Sequence, residues 1–174
     1  MQISRQSESG FSLVETLVSI LILTVGVLGL TQAFVSGVQK SNSAPYEVLA
    51  TQKAAEAIES VFAARDSHTL SWLQMKNMAQ GGVFKDSATD MTTSGADGIL
   101  NTLDDGAIEQ FVFLGPDGVV GTGDDNTLIL NAFKREIRIF EISGYLREVT
   151  VTITYPANGQ IKSYRITALI SQYA

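Results

Sequence analysis

The chain contains no cysteine and a single histidine among its 174 residues. Without cysteine, no disulfide can constrain the fold, and no thiol can act as a nucleophile or a metal ligand. Catalysis by a nucleophile and a base has little support, because His68 has no obvious triad partners and the chain has no G-x-S-x-G motif. These absences weigh against an enzyme, and we interpret His68 as an ordinary surface residue.

Basic residues are scarcer than acidic ones, 12 against 18, so the formal net charge is −6. Such a chain is a poor partner for nucleic acid, and we expect no nucleic-acid binding. The excess negative charge is local, because six of the 18 acidic residues lie in two short glycine-rich segments and the other 12 balance the 12 bases. The six are Asp97, Asp104, Asp105, Asp117, Asp124 and Asp125.

A long apolar run follows a polar start. Residues 1–10 are polar, whereas residues 11–35 are almost wholly apolar and carry Glu15 as their only charge. Roughly 20 helical residues cross a bilayer core, so the run is long enough to span it. A cleaved secretory signal fits poorly, since the run is too long and no clean A-x-A-like site follows. A plain anchor does not explain Glu15, because a carboxylate in a spanning helix costs about 2.5–3.5 kcal/mol and is usually functional.

A specific motif begins this run: Gly10-Phe11-Ser12-Leu13-Val14-Glu15. It resembles the class III signal of type IV prepilins. The resemblance implies that a prepilin peptidase cuts after Gly10, methylates the new N-terminal Phe11 and leaves the apolar helix in place. It also implies that Glu15 meets the N-terminal ammonium of a neighbouring subunit. Two charges that are each costly in hydrocarbon would then neutralise one another.

Within this family, the chain is similar to the PilV-type minor pilins, or type IV pilus modification proteins. The similarity covers ILILTVGVLGL at 20–30 and LATQKAAEAIE at 49–59. It implies other minor pilins, the major pilin and the assembly platform as partners. It places the chain in the bacterial inner membrane as a single-pass protein with a periplasmic head, and then in a filament at the cell surface. Gly26, Gly29 and Gly37 of the helix could loosen it or allow close packing with other helices, and both interpretations stay open.

Helical periodicity continues beyond the apolar run. Residues 41–45, SNSAP, interrupt the pattern, and proline is well tolerated at the first position of a helix, so we predict that a second helix starts there. We expect the apolar stripe of that helix to face the core; it consists of Val48, Ala55, Ile58 and Phe62. Residues 72–78 predict a short additional helix.

The C-terminal third has strand periodicity. Residues 149–155 alternate apolar side chains with threonine, Asn158-Gly159 predicts a hairpin turn, and residues 164–170 form the return strand. Further strands are expected at 136–142, 111–114 and 127–130. The fold class is therefore α+β, a pilin fold in which a long N-terminal helix packs against a C-terminal antiparallel sheet. The predicted organisation is a leader (1–10), a transmembrane or filament-core helix (11–35), an amphipathic half of that helix (36–65) and a globular head (66–174).

Two acidic loops share the pattern D-G-x-x-x-T-x-D-D and start 20 residues apart, at 97–105 (the first loop) and 117–125 (the second loop). Solvated turns are one interpretation and calcium sites the other, since Ca²⁺ prefers six to eight oxygen ligands. The second loop resembles the calcium loop of major pseudopilins, which implies Asp117, Asp124 and Asp125 as ligands. A possible second site would use the matching residues of the first loop: Asp97, Asp104 and Asp105.

The predicted function is a minor pilin, a structural subunit that is incorporated into a type IV pilus or primes its assembly, with a calcium-stabilised head. One alternative is a pseudopilin of a type II secretion system, which shares all the N-terminal chemistry. A second alternative is a membrane-anchored calcium-binding adhesin or hydrolase.

Overall fold

The computed structural model describes Gly10 and residues 12–173, with the side chain of Asn42 excepted. Phe11 and leader residues 1–9 lie outside this described part. By internal contacts the chain forms two compact units, Met1–Asn42 and Ser43–Ala174, and the second unit is called the head below. The elements are α1 (Leu13–Asp66), a 3-10 helix (Met78–Gln80), β1 (Thr89–Asp90), β2 (Gln110–Phe113), β3 (Asn126–Ile129), a second 3-10 helix (Leu130–Ala132), β4 (Lys134–Ser143), β5 (Leu146–Ala157) and β6 (Gln160–Ser171).

In the head, α1 packs a face of small side chains against the rest of the core. After the adjacent pair Leu49 and Ala50, the buried positions recur every three or four residues, at Ala54, Ala57, Val61 and Ala64. The predicted apolar stripe therefore does not coincide with the face of α1 that is most buried. Val48 is 67 % exposed, and Ala55, Ile58 and Phe62 are only partly buried. The prediction gave most weight to the larger side chains, whereas the closest packing here is made by alanines.

Pro45 lies inside α1 rather than at the start of a second helix. The predicted break at residues 41–45 is wrong. An internal proline removes a backbone hydrogen bond and costs about 3 kcal/mol, so local propensity favours a break. Packing of the alanine-rich face against the core opposes that cost, as tertiary contacts generally override propensity.

The main sheet is antiparallel, with the strand order β1-β4-β5-β6. Side chains of β5 alternate strictly, so that Val149, Val151 and Ile153 are fully buried while the threonines between them lie on the opposite face. The hairpin between β5 and β6 turns at Asn158 and Gly159, whose φ angles of 54° and 73° suit those residue types. The predicted α+β fold is confirmed, with a long N-terminal helix whose segment within the head packs against the core beneath an antiparallel sheet.

A separate two-stranded sheet pairs β2 with β3, and Phe111 lies opposite Leu128. This confirms the strands expected at 111–114 and 127–130 to within a residue. The second loop connects these two strands, and the first loop precedes β2. The helix expected at 72–78 is absent from the structure, because that segment forms turns that lead into the first 3-10 helix.

Asn77 covers the backbone edge of β4 that β1 is too short to reach. Its side-chain amide donates to the carbonyl oxygen of Ile137 at 2.8 Å, and its amide oxygen accepts the N–H of Ile139 at 2.8 Å. The same amide donates to the carbonyl oxygen of Lys85 at 3.0 Å. One buried asparagine thus replaces the neighbouring strand and leaves fewer backbone groups of the edge free to pair with another chain.

Two arginines are buried beneath the sheet. Arg135 contacts Glu109 at 3.1 Å, and Glu109 also bonds Lys53 of α1 at 2.5 Å, so the charges form a network. Arg147 lies over the ring of Trp72, 4.1 Å from its centroid, and donates to the carbonyl oxygens of Trp72 and Met75. These contacts compensate charges that would otherwise be costly to bury.

Candidate processing segment and acidic loops

Helix α1 begins at Leu13, two residues beyond the predicted cleavage position. The hydroxyl of Ser12 accepts the N–H of Val14 at 3.2 Å, which satisfies one of the free donors at the helix start. Glu15 lies in the first turn, where a carboxylate complements the positive end of the helix dipole. Its side chain is exposed and surrounded in sequence by exposed apolar residues, so it is available to a partner outside this chain.

The polar side chains of the apolar segment are satisfied within the helix. Three hydroxyls donate to carbonyl oxygens four residues earlier: Ser19 to Glu15, Thr24 to Ile20 and Thr31 to Val27. Such internal bonds allow hydroxyl groups to enter a hydrocarbon environment at low cost. An 18-residue window of this helix has a mean hydropathy of 2.3, and none of it is buried within the chain. Length and composition therefore suit a membrane-spanning helix.

The second loop is held in shape by its own aspartates. Asp117 accepts the N–H of Val119 at 2.9 Å, and Asp124 accepts the hydroxyl of Thr122 at 2.6 Å. Asp125 accepts three backbone N–H groups, from Gly115, Gly121 and Thr122, at 2.6–3.2 Å. The carboxylates thus organise the loop from inside, and in doing so they fix the backbone around the Thr122 hydroxyl.

The first loop repeats this geometry. Asp97 accepts the N–H of Ile99 at 2.8 Å, and Asp104 accepts the hydroxyl of Thr102 at 2.7 Å. Asp105 accepts the N–H of Thr102 at 3.2 Å, as Asp125 does from Thr122. Left-handed backbone occurs at matching positions of the two loops: Gly98 and Gly118, then Asn101 and Gly121. The internal repeat is therefore a repeat of structure as well as of sequence.

The repeat also begins two residues earlier than the sequence pattern indicated. The carbonyl oxygens of Gly95 and Gly115 accept the N–H groups of Gly98 and Gly118, at 3.2 and 3.0 Å respectively. A Cβ atom at either position would collide with the carboxylate of Asp104 or Asp124. The shared motif is G-x-D-G-x-x-x-T-x-D-D. A comparison of the residues that precede Asp97 with those that precede Asp117 could have revealed the leading glycine.

The two loops differ in how their last aspartate is neutralised. In the first loop, the ammonium of Lys85 bonds Asp105 at 3.1 Å, and the hydroxyl of Thr92 bonds the same oxygen. In the second loop, Asp125 has only backbone donors, and no basic side chain of the described residues forms an ion pair with Asp117 or Asp124. Lys85 was not among the predicted site residues, because nothing in the local sequence connects it with Asp105, an aspartate 20 residues away.

Hydrogen bonds within the loops lower the pKa of three aspartates. The hydroxyl of Thr122 lowers the pKa of Asp124, and that of Thr102 lowers the pKa of Asp104. The N–H groups of Gly115 and Gly121 lower the pKa of Asp125. All three carboxyls are therefore ionised across the physiological pH range, and each stabilises its loop in that state.

The predicted calcium ligands form an oxygen-rich cluster only in part. Around the hydroxyl of Thr122 lie oxygens of Asp124, Val119 and Asp117, at 2.6, 3.0 and 3.4 Å. These hard donors fit the chemistry of Ca²⁺. Both oxygens of Asp125 instead face N–H groups. Across the described residues, no three Asp, Glu or His side chains are grouped so as to hold a metal ion by themselves.

His68 lies at the surface, as the sequence indicated. It follows the end of α1, and its ring Nδ1 contacts the carbonyl oxygen of Asp66 at 3.1 Å. His68 and Ser71 both line a hollow with a volume of about 430 Å³, but the hydroxyl of Ser71 donates to the side-chain oxygen of Gln74 at 2.8 Å and not to the histidine ring. This arrangement gives the histidine no triad partner among the described residues.

Comparison with known families adds one match. The prokaryotic N-terminal methylation motif matches residues 5–31, a segment that contains Gly10, Phe11 and Glu15. No curated protein sequence and no solved structure is significantly similar to the chain.

Proposed function

We infer that the chain is a type IV pilin-like protein, a structural subunit rather than an enzyme, because it combines a prokaryotic N-terminal methylation motif, an apolar helix able to span a membrane and an α+β head. The motif implies processing by a prepilin peptidase and a setting of inner-membrane anchoring and pilus assembly.

We propose that the chain is a minor pilin of the PilV type, incorporated into a type IV pilus or priming its assembly. The observation that carries the role of filament subunit is Glu15, an exposed carboxylate in the first turn of an apolar helix and within the cleavage motif, while the PilV type rests on the resemblance at 20–30 and 49–59. In a lipid-embedded helix an unpaired carboxylate is costly, so a partner cation is required. The N-terminal ammonium that cleavage exposes on the neighbouring subunit supplies one. The other minor pilins, the major pilin and the assembly platform are the proposed partners.

The intact mass of the mature protein tests processing. Cleavage after Gly10 and methylation of Phe11 predict a chain that begins at residue 11 and carries one added methyl group. A mature chain that retains residues 1–10, or that lacks the apolar helix, would refute the proposal.

Replacement of Glu15 tests assembly separately. Glu15→Val should leave membrane insertion intact or improved, because it removes a buried charge, while incorporation into sheared filaments should fall strongly. Ser19→Val is the matched control, since its hydroxyl is already bonded within α1 and has no role in the charge pair. Filaments that incorporate the Glu15→Val and Ser19→Val variants equally well would contradict the pairing role.

We also propose that the second loop binds one calcium ion that stabilises the head. The support is the cluster of four oxygens that the Thr122 hydroxyl forms with its three neighbours, and the absence of an ion pair to the loop's aspartates among the described residues. Asp117 and Asp124 are the proposed carboxylate ligands, and Asp125 fixes the loop or joins them after reorientation. The first loop is the weaker candidate, since Lys85 already neutralises Asp105. A calcium site here would also favour the alternative that the chain is a type II secretion pseudopilin. Finding the protein in pilus filaments, or instead in secretion filaments, would decide between the two.

A further inference from the structure

Two exposed tyrosines stand together at the end of the head where α1 stops. Tyr145 lies in the turn between β4 and β5, and Tyr173 follows β6. The residues are 60 % and 66 % exposed, and their ring centroids are 5.5 Å apart. The N–H of Gln172 donates to the carbonyl oxygen of Tyr145, and Arg65 at the end of α1 donates to the carbonyl oxygen of Ser171. This pair, called the tyrosine ledge below, presents aromatic surface that the head itself does not cover.

The ledge borders the hollow that begins at His68. The volume of this hollow, about 430 Å³, falls within the range of about 300–1,000 Å³ that is usual for small-molecule sites. Trp72 lines the hollow, and its indole N–H donates to the carbonyl oxygen of Gly144, the residue before Tyr145, at 2.8 Å. The guanidinium of Arg147 lies 4.1 Å from the indole centroid and holds the ring in place. A wall that is fixed before a ligand arrives lowers the entropic cost of binding.

The lining of the hollow is rich in hydrogen-bonding groups, and some of them have no partner among the described residues. The side-chain oxygen of Gln74 accepts the N–H and the hydroxyl of Ser71, at 3.1 and 2.8 Å, which leaves its NH₂ group to donate. The side-chain amide of Gln172 forms no hydrogen bond within the described part of the chain. His68 contacts the carbonyl oxygen of Asp66 through Nδ1, which leaves Nε2. Donors and acceptors are therefore both available to a ligand.

The chemistry of the hollow favours a neutral ligand. Arg65 is the one lysine, arginine, aspartate or glutamate of its described lining, and its guanidinium is already paired with Asp66 at 2.7 Å. Protein interfaces usually have an apolar centre and a polar rim. The order is reversed here, because the concave part is mostly polar and the aromatic rings stand at its border. A ligand that fits has hydroxyl groups along its edge and apolar faces.

We propose that the hollow and the tyrosine ledge bind a neutral β-1,4-linked oligosaccharide. Sugar hydroxyl groups donate and accept, so they suit the amides of Gln74 and Gln172 and the ring of His68. The equatorial linkages keep such a chain flat, with C–H groups on the faces of each sugar ring. Those faces pack on the rings of Tyr145 and Tyr173. The site is independent of the proposed filament role, since no part of it requires assembly.

Trp72 is the only tryptophan of the chain, so its fluorescence reports directly on this hollow. The full-length chain, in a detergent without a sugar head group, is titrated with cellotetraose and with chitotetraose. Calorimetry on the same samples gives affinities that do not depend on the fluorophore. We expect a saturable change with at least one of these two probes. Maltotetraose, whose α linkages curve the chain, and the acidic sialyllactose should bind at least about tenfold more weakly.

Substitutions separate the ledge from other aromatic surface. Tyr145→Ala and Tyr173→Ala should each weaken binding by about tenfold, whereas Tyr145→Phe should retain it, because the face of the ring makes the contact. Phe140→Ala is the matched control: Phe140 is 50 % exposed but lines a different hollow, and its loss should leave the affinity unchanged. The substituted residues are exposed, so each variant should melt at the temperature of the wild type.

The remaining outcomes overturn the site. Neither β-linked probe giving a saturable signal rejects it outright, and equal binding of all four sugars rejects its specificity. A loss in Phe140→Ala as large as that in Tyr145→Ala rejects the ledge as the place of binding. Incorporation into sheared filaments is measured on the same variants and should not change. Ledge variants that fail to enter filaments while their sugar affinity stays that of the wild type would assign the tyrosines to a subunit contact instead.

Discussion

Asn77 offers the sharpest test of how the head is stabilised. In Asn77→Ala the head loses three hydrogen bonds, two of them to β4 at 2.8 Å and one to Lys85 at 3.0 Å. The N–H of Ile139 and the carbonyl oxygen of Ile137 then remain buried without these partners. Each unsatisfied buried group costs about 1–3 kcal/mol, so the free energy of unfolding should fall by roughly 2–5 kcal/mol. Losses of this size are a large part of the stability of a small domain.

Urea unfolding of the soluble head measures this loss. All buried apolar side chains of the described residues lie from Leu49 onward, so a fragment that starts at Ser43 retains the entire core. Asn126→Ala is the control, because Asn126 is an exposed asparagine in a strand and should change stability by less than about 0.5 kcal/mol. Asn77→Asp should also destabilise, since a carboxylate cannot donate to either carbonyl oxygen.

Amide hydrogen exchange locates the effect. The N–H of Ile139 should exchange faster in Asn77→Ala by more than the global loss of stability explains, because its acceptor has been removed. The N–H of Val151, in the middle of the sheet, should follow global stability only. If Asn77→Ala unfolds within about 0.5 kcal/mol of wild type, or if the exchange of Ile139 is unchanged, the asparagine is not the cover of this edge.

Three further predictions concern charge. Arg135→Ala should lower the free energy of unfolding, measured in urea, by about 3–5 kcal/mol, because it leaves Glu109 buried with one partner fewer. Arg138→Ala, at the exposed face, should lower it by less than about 1 kcal/mol. Equal losses in the two variants would contradict the buried network. The depressed pKa values of Asp124 and Asp125 mean that these carboxylates stabilise the head above their ordinary pKa near 3.8, and that this contribution disappears as the pH falls from about 4 through the lowered values. Urea midpoints between pH 7 and pH 2 should therefore fall less steeply in Asp124→Asn than in wild type, and parallel curves would refute this. Calcium at a hundredfold excess over Kd should stabilise the wild-type head by about 2.7 kcal/mol and so raise its melting temperature, whereas the melting temperature of Asp124→Ala/Asp125→Ala should not change. A wild-type melting temperature that is the same with calcium and with chelator would remove calcium from the proposal.

The features that the sequence predicted well depend on patterns among residues that lie close together in the chain. Alternation over 149–155 and the Asn158-Gly159 turn define β5, β6 and their register, because burial of one face and a two-residue turn leave a single pairing. The prepilin-like motif is equally local, and the family match at 5–31 supports it. Length and hydropathy alone are enough to identify the apolar helix.

The features that it predicted poorly depend on distant partners. Pro45 signals a break by local propensity, and only the packed alanine face shows why α1 continues through it. Asn77 is one polar residue in a segment of weak periodicity, and its role appears only when β4 lies beside it. The same holds for Lys85, whose contact with Asp105 spans 20 residues. No sequence period encodes such pairs.

The two loops show how one duplicated motif can acquire two roles. The aspartates, the central threonine and the leading glycine fix the same frame in both, so the differences must come from the remaining positions. Ile99 and Leu100 are long enough to reach the core, whereas the shorter Val119 and Val120 stand in solvent on a connection between β2 and β3. Lys85 forms an ion pair with the first copy, and no lysine or arginine of the described residues does so with the second. The first loop is thereby part of the head's own packing, while the second retains exposed apolar side chains and a negative charge that the proposed calcium ion would neutralise.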